Sequence, residues 1–328
     1  PNILSNIVSS QIDVHMKFGG VVPELAARSH IEKIDHIVKK AIDESGKNLS
    51  EIDAIAVTAG PGLIVCLSVG LNFAKSLALS LNKPFIAVNH LEGHAISPRL
   101  VTELNFPYLL LLISGGHTQF LSVKKFGKYK RLGTTIDDAL GEAFDKTAKM
   151  IGIEFPGGPY LEKLAEKGNP NRFDLPKPIL KKGGCNVSFA GLKTAVLKIS
   201  NTIKNEEDKN DLAASFQKTI QEILYVKTKN AFKEFKYISR KTKNTFVVAG
   251  GVAANRSLRK TLTEVSLENN FNPIFPPTEF CGDNAAMIAM AGLEKFKLKK
   301  FDKLNHPAKP RWPLDDKAIF LKGAGVKL

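Results

Sequence analysis

The sequence predicts two α/β lobes with a cleft between them. Three observations carry this. The chain has 328 residues, too many for one small core and enough for two. Short apolar strands alternate with helix-length amphipathic runs, which implies parallel pairing with helices covering a sheet. Glycine-rich turns and two histidines fall where strands end, the place where such folds bind ligands.

The elements follow in order. Asn2 to Ile12 alternates loosely and reads as a strand, and Gly19-Gly20 turn the chain. Pro23 suits the first turn of a helix; Leu25, Ile31, Ile34, Val38, Ala41 and Ile42 continue its apolar stripe, and Gly46 ends it. Ile52 to Thr58 is a buried strand, Ala59 to Gly62 a tight loop, and Leu63 to Leu81 an apolar helix. Pro84 to Val88 is a further strand, with a helix expected from His94 to Leu104. Pro107 to Ser114 and His117 to Val123 form a hairpin that opens the second lobe. Asp137 to Ile151 is helical, Pro156-Gly157-Gly158-Pro159 a rigid loop, and residues 168–187 a surface excursion rich in Gly, Pro and Lys. Leu192 to Ile203 and Leu212 to Phe235 are helices. Thr245 to Ala249 is a strand that Gly250-Gly251 turn into a helix from Ala253. Ile274-Phe275 is a short strand, and Gly282 to Phe296 the last helix before a basic tail.

Composition narrows the function. Apolar and charged fractions are those of a soluble globular protein, and no run approaches the roughly 20 apolar residues of a membrane span. No secretory signal is recognised. Cys66, Cys185 and Cys281 have no CxxC spacing, which argues against a disulfide framework or a structural zinc site. A reducing compartment is expected, the cytoplasm first and the mitochondrial matrix as the alternative. The net charge of +15 suits a polyanionic partner, nucleic acid above all; lysine as the favoured surface residue is the competing reading.

His90 and His94 lie four residues apart, so a helix would turn both imidazoles to one metal ion. The zinc-protease template fails, because Glu92 stands two after the first histidine, about 200° around the helix. The competing reading is a strand-to-helix junction with two polar residues near water. Asp283 is either the cap of the last helix or a third, hard ligand. Ser114-Gly115-Gly116-His117-Thr118 is either an ordinary hairpin turn or a place where backbone amides meet an anion. Ala249 to Asn255 runs strand, Gly-Gly, helix start, where phosphate or nucleotide binds, and Asn255 could reach a ribose or base edge. Asp138, Glu142 and Asp145 share one helix face, either solvated or aimed at ribose hydroxyls or a catalytic pocket.

Nine runs taken together resemble a known family. They are Phe18–His30, Ala59–Leu63, His90–His94, Ser114–Gln119, Ile136–Lys149, Phe155–Pro159, Ser188–Thr194, Ala249–Arg256 and Asp283–Ile288. In this order they resemble the bacterial and mitochondrial branch of the tRNA adenosine threonylcarbamoyltransferases, formerly called glycoprotein endopeptidases. The resemblance implies two RNase H-like lobes of the actin/Hsp70/sugar-kinase superfamily. By it, residues 1–106 with 284–328 form the lobe carrying the metal histidines, and 107–283 the lobe binding the intermediate. It implies transfer of threonylcarbamoyl from its adenylate to the exocyclic amine of the adenosine 3′ of the anticodon in ANN-decoding tRNAs. His90, His94 and Asp283 would hold one divalent metal, iron(II) or zinc. Leu112, Ile113, Ser114, Gly115 and Gly116 would line the intermediate, and Asp145, Gly158 and Asn255 its adenosine part. Partners would be tRNA, a shorter paralogue and a small ATPase, or a second copy in a homodimer, with no membrane. Relatives begin with a strand and acidic turn of the type Gly-Ile-Glu-(Thr/Ser)-Ser-Cys-Asp-(Asp/Glu)-Thr, where the catalytic group is expected. This chain starts after it, and Pro1 as first residue points to a piece of a longer protein. The alternatives are a non-catalytic tRNA-binding scaffold and, behind it, a metalloprotease.

Overall fold

A computed structural model describes residues 1–239, 244–319 and 321. The end of the expected first lobe, 322–328, lies outside the described residues. The chain forms two compact units, and the first is discontinuous, built from Pro1–Leu104 and Gly282–Asp316. The second holds Asn105–Cys281 and the described residues from Lys317 on, which the expected bounds had placed in the first lobe.

In the first unit, α1 (Ile12–Met16) and the long α2 (Pro23–Ser45) precede β1 (Ile55–Gly60). Proline opens α2 and Gly46, at φ +67°, closes it in the left-handed conformation. The crossover helix α3 (Ile64–Ser80) leads to β2 (Phe85–Asn89), which pairs parallel to β1 in register Ile55↔Phe85. The helix α4 (His90–Ile96) follows directly, and α10 (Ala285–Lys297) packs on β1, β2 and α4. Gly292 makes that fit: a Cβ there would lie 2.5 Å from the Ala56 methyl. The Asp302 carboxylate accepts from the Ala87 amide at 2.9 Å, so the segment after α10 lies along β2.

Two expectations for this unit need correction. Asn2 to Ile12 is not a strand. Ile3, Leu4 and Val8 are exposed, and among the described residues no neighbouring strand takes up the backbone's hydrogen bonds. The helix at His94–Leu104 begins earlier. Asn89 caps it by accepting from the Leu91 amide at 2.9 Å, so both histidines lie inside α4. It ends earlier too, because Pro98 lacks the amide an α-helix needs and the chain tightens into a 3₁₀ turn over Ser97–Leu100.

The second unit is built on one five-stranded sheet. β3 (Tyr108–Ile113), β4 (Thr118–Lys125) and β5 (Lys128–Thr134) form an antiparallel meander, while β6 (Asn244–Ala249) and β7 (Phe271–Ile274) run parallel to β3. The order β5-β4-β3-β6-β7 leaves β3 central and every one of its residues buried. The helices are α5 (Leu140–Met150), α6 (Gly157–Ala165), α7 (Ala190–Ser200), α8 (Glu206–Ser239) and α9 (Arg256–Glu268). Leu109, Leu111, Phe144, Phe216, Phe232 and Phe246 belong to one core joining sheet and helices. Pro156-Gly157-Gly158-Pro159, expected as a rigid loop, instead starts α6, since proline is tolerated in a first turn. Residues 168–187 are irregular as expected, but they are tied down. The buried Lys227 ammonium donates to the Lys182 carbonyl at 2.7 Å, and Leu175, Cys185 and Val187 are buried.

Candidate metal centre and substrate loops

His90 and His94 occupy one face of α4, with ring centroids 4.7 Å apart and planes at 82°. Gly93 lets that helix approach α10, because a Cβ would stand 2.9 Å from Ile288 Cδ1. Asp283 precedes α10, but Asn284 is the cap: its Oδ1 accepts from the Met287 amide at 2.9 Å. Asp283 is thereby left to face the histidines. Its Oδ1 lies 3.3 Å from His90 Nε2 and 3.2 Å from His94 Nε2.

These three are a group able to hold a metal ion, with donor atoms within 4.8 Å of one another. The spacing fits: ligands about 2.0–2.1 Å from a tetrahedral ion stand about 3.3–3.4 Å apart. Two imidazoles and one carboxylate are a donor set for zinc or a first-row transition metal. Burial argues the same way. His94 is fully buried, and its Nδ1 has no partner among the described residues. Among the described residues Asp283 is the one polar partner its ring has, a costly arrangement for a residue that only fills space. The reading of two polar residues near water therefore fails for His94. Burial, with the neighbouring His90, lowers the His94 pKa against the pull of Asp283, keeping the imidazole in the neutral form that binds metals. Loss of solvent works against ionisation of Asp283, but hydrogen bonds and charge from His90 and His94 outweigh it. Its carboxyl is held far below the usual range.

In the second unit, Ser114–Gly116 lie at the end of β3. The turn is closed by the Ser114 amide donating to the His117 carbonyl at 2.8 Å. The Ser114 carbonyl accepts from the Gly141 amide at 3.2 Å, which docks the turn on the start of α5. Gly141 must be glycine, because a Cβ would stand 2.7 Å from that carbonyl. Gly115 and Gly116 are exposed, their amides have no partner among the described residues, and a Cβ on either would meet open space. Leu112 and Ile113 are fully buried in β3, so their side chains belong to the core.

Asp145 lies one helical turn beyond Gly141. Its Oδ1 accepts from the amides of Gly157 at 3.0 Å and Gly158 at 3.3 Å. Burial, with Glu142 nearby, raises its pKa against those two amides. Gly250, at φ +99°, brings the chain after β6 against β3, where a Cβ would lie 2.4 Å from the Ile113 carbonyl. The next residues, Gly251–Ala254, form a 3₁₀ turn that packs on α5. Asn255, expected to reach a ligand, is partly engaged within the protein. Its Oδ1 caps α9 through the Leu258 amide at 2.9 Å, and its Nδ2 donates to Gln217 Oε1 at 3.0 Å.

The acidic face is neither solvated nor uniform. Asp138 lies before α5 and takes Lys146 and Lys193 on its two oxygens, each at 3.1 Å. Asp137 accepts from the Phe189 amide at 2.7 Å and from the Ser188 hydroxyl. Sequence reasoning missed this ionic joint between α5 and α7, although both partners sit inside motifs it had singled out. The three cysteines are free thiols, and burial pushes each of them up, so none offers a ready thiolate nucleophile.

The fold and these groups define a two-unit α/β protein of the actin/Hsp70/sugar-kinase-like class. It carries a histidine–carboxylate metal-type centre in one unit and amide-rich glycine loops in the other. Solved structures agree on the fold. The crystal structure of T. kodakarensis HypF matches with a TM-score of 0.60 at 15% identity, over 81% of this chain and 43% of that one. Residues 2–290 match the family TsaD, tRNA N6-adenosine threonylcarbamoyltransferase. The tRNA N6-adenosine threonylcarbamoyltransferase of Pelagibacter ubique is 72% identical over 328 residues, covering 100% of this chain and 92% of the relative. That of Zymomonas mobilis is 52% identical over 327 residues, covering 99% and 89%. The chain belongs to the tRNA N6-adenosine threonylcarbamoyltransferase family, transferases that modify tRNA. No described helix is long and apolar enough to cross a membrane.

Proposed function

We propose that the protein transfers threonylcarbamoyl from threonylcarbamoyl-adenylate to the exocyclic amine of the adenosine 3′ of the anticodon in ANN-decoding tRNAs. The observation that carries the reading is the convergence of His90, His94 and Asp283, with 3.2 and 3.3 Å between the imidazole nitrogens and one carboxylate oxygen. These residues would hold one divalent ion, iron(II) or zinc. Held there, such an ion would supply Lewis acidity toward phosphate and carbonyl oxygens.

The chemistry is acyl transfer from a mixed anhydride. The carbonyl–oxygen bond to the phosphate breaks, a carbonyl–N6 bond forms, AMP leaves, and the amine gives up a proton. No covalent enzyme intermediate is needed, in keeping with three cysteines whose thiols are held protonated. Ser114, Gly115 and Gly116 would hold the intermediate, the last two with amides unengaged among the described residues, which favour negative charge. Leu112 and Ile113 would contribute through β3 backbone position alone. Asp145 and Gly158 would hold the adenosine. Asn255 would join them through the Nδ2 hydrogen that it does not give to Gln217.

The expected setting is the cytoplasm, with tRNA, a shorter paralogue and a small ATPase, or a second copy, as partners. The test is transfer of labelled threonylcarbamoyl from the synthetic adenylate to an ANN-decoding tRNA transcript, with candidate partners supplied. Label on the adenosine 3′ of the anticodon, lost with His90→Ala, supports the reading. Tight tRNA binding with no transfer by any combination overturns it in favour of a scaffold.

A further inference from the structure

Basic residues number 47 of 328, roughly one in seven, so an eight-residue window should hold about one. Residues 124–131, Lys-Lys-Phe-Gly-Lys-Tyr-Lys-Arg, hold five. No Asp or Glu occurs between Glu103 and Asp137. Lysine spread evenly over the surface does not explain such a run.

The structure makes the run the tip of the β4–β5 hairpin, at the edge of the five-stranded sheet. Gly127, at φ +71°, turns it. Lys125 stands directly opposite Lys128, a like-charge pair that costs stability. Lys124 occupies the irregularity between Val123 and Lys125, which frees it from the ladder's alternation. Lys124, Lys125, Lys128 and Lys130 are all exposed, and none has a carboxylate partner among the described residues. The hairpin's base is fixed. Phe120 and Leu121 are buried, the Thr134 amide donates to Asn186 Oδ1 at 2.9 Å, and Thr135 bridges to Val187. A charged tip on a fixed base presents its cations with little backbone left to order on binding, so the cost is confined to the lysine side chains.

We propose that the Lys124–Lys130 hairpin tip is a docking arm for the phosphate backbone of the substrate tRNA. The proposal rests on the tRNA-modifying reading above and adds where the RNA is held. Structured RNA is recognised largely by shape and backbone, and lysines supply compact point charges for phosphate. Each neutralised phosphate releases counterions, so the arm has a salt signature.

The experiment replaces Lys124, Lys125, Lys128 and Lys130 by Gln. Its control replaces Lys167, Lys198, Lys233 and Lys260, exposed elsewhere, by Gln. Both variants fall from +15 to +11, since four charges are lost in each. Binding of an ANN-decoding tRNA transcript is measured across a salt series. The arm variant is expected to bind about tenfold or more weakly near 0.1 M salt, with the slope of log K against log salt reduced by about 2–3. The control is expected to change less than threefold, and a Lys-to-Arg version of the arm to bind as wild type. Equal metal content and melting temperature in all variants show that the fold is kept. If arm and control variants weaken alike, or neither weakens, the arm is refuted while the tRNA reading stands. A wild-type protein that binds no tRNA overturns both.

Discussion

Replacing Asp283 by Asn removes the charge that His90 and His94 share while leaving the Asn284 cap of α10 intact. Metal binding should then fall at least a hundredfold, read by metal analysis after equilibration with iron(II) or zinc. Wild type held at about a hundred times its dissociation constant should gain about 2.7 kcal/mol of stability. Asp283→Asn should gain almost none; an equal gain in both would mean that the ion binds elsewhere. Asp138 gives a different signature. Burial raises its pKa, but the ammonium groups of Lys193 and Lys146 more than reverse this, so the carboxyl lies below its ordinary range. A lowered carboxyl contributes stability that is present above about pH 4 and is lost as pH falls through the lowered value. Asp138→Asn should therefore be less stable than wild type by about 1–3 kcal/mol at neutral pH. Denaturant titrations at descending pH should show the two converging, and a gap that persisted in acid would rule out charge as the cause.

At the scale of elements, glycines set how closely helices approach. Gly157 opens α6 against α5, and a Cβ there would lie 2.3 Å from the Ala148 methyl and 3.2 Å from Asp145 Cα. Gly157→Ala should cost about 1–3 kcal/mol by overpacking. It should also move the amides that hold Asp145, so activity should fall more than stability alone explains. Thermal melts beside transfer assays at a temperature where both proteins are folded would separate the two effects. A melt unchanged from wild type would show that α5 and α6 are loosely packed. By contrast Gly115 and Gly116 face open space, so their value lies in the backbone access they give.

At the scale of the whole chain, the second unit takes its whole sheet and core from Asn105–Cys281, with only the residues from Lys317 on added to it, whereas the first is closed by α10 from far along the sequence. Residues 105–281 expressed alone should therefore fold cooperatively, with near-UV circular dichroism and a single unfolding transition. The same piece should bind no metal, because His90, His94 and Asp283 all belong to the first unit. An unfolded piece would mean that the second core depends on the first unit.

Much of the fold is written in local pattern, because apolar periodicity, proline and glycine act over a few residues. The strands ending at Asn89, Ile113 and Ala249, and the helix from Pro23 to Ser45, need nothing more. The pairing of His90 and His94 is legible for the same reason: a spacing of four defines one helix face wherever the helix lies. Other features are settled by contacts between residues far apart in sequence. Whether Asp283 caps a helix or faces two imidazoles depended on Asn284 taking the cap and on α10 packing against α4. That one hydrogen of the Asn255 amide goes to Gln217, on α8, is likewise a matter of packing. Asn2 to Ile12 has a strand's alternation, but a strand exists only where a neighbour accepts its hydrogen bonds, and periodicity carries no information about neighbours. The sequence by itself determined the family, most of the strand–helix order and the pairing of His90 with His94. The tertiary structure decided which polar groups are spent on the protein's own backbone and which are left for a ligand.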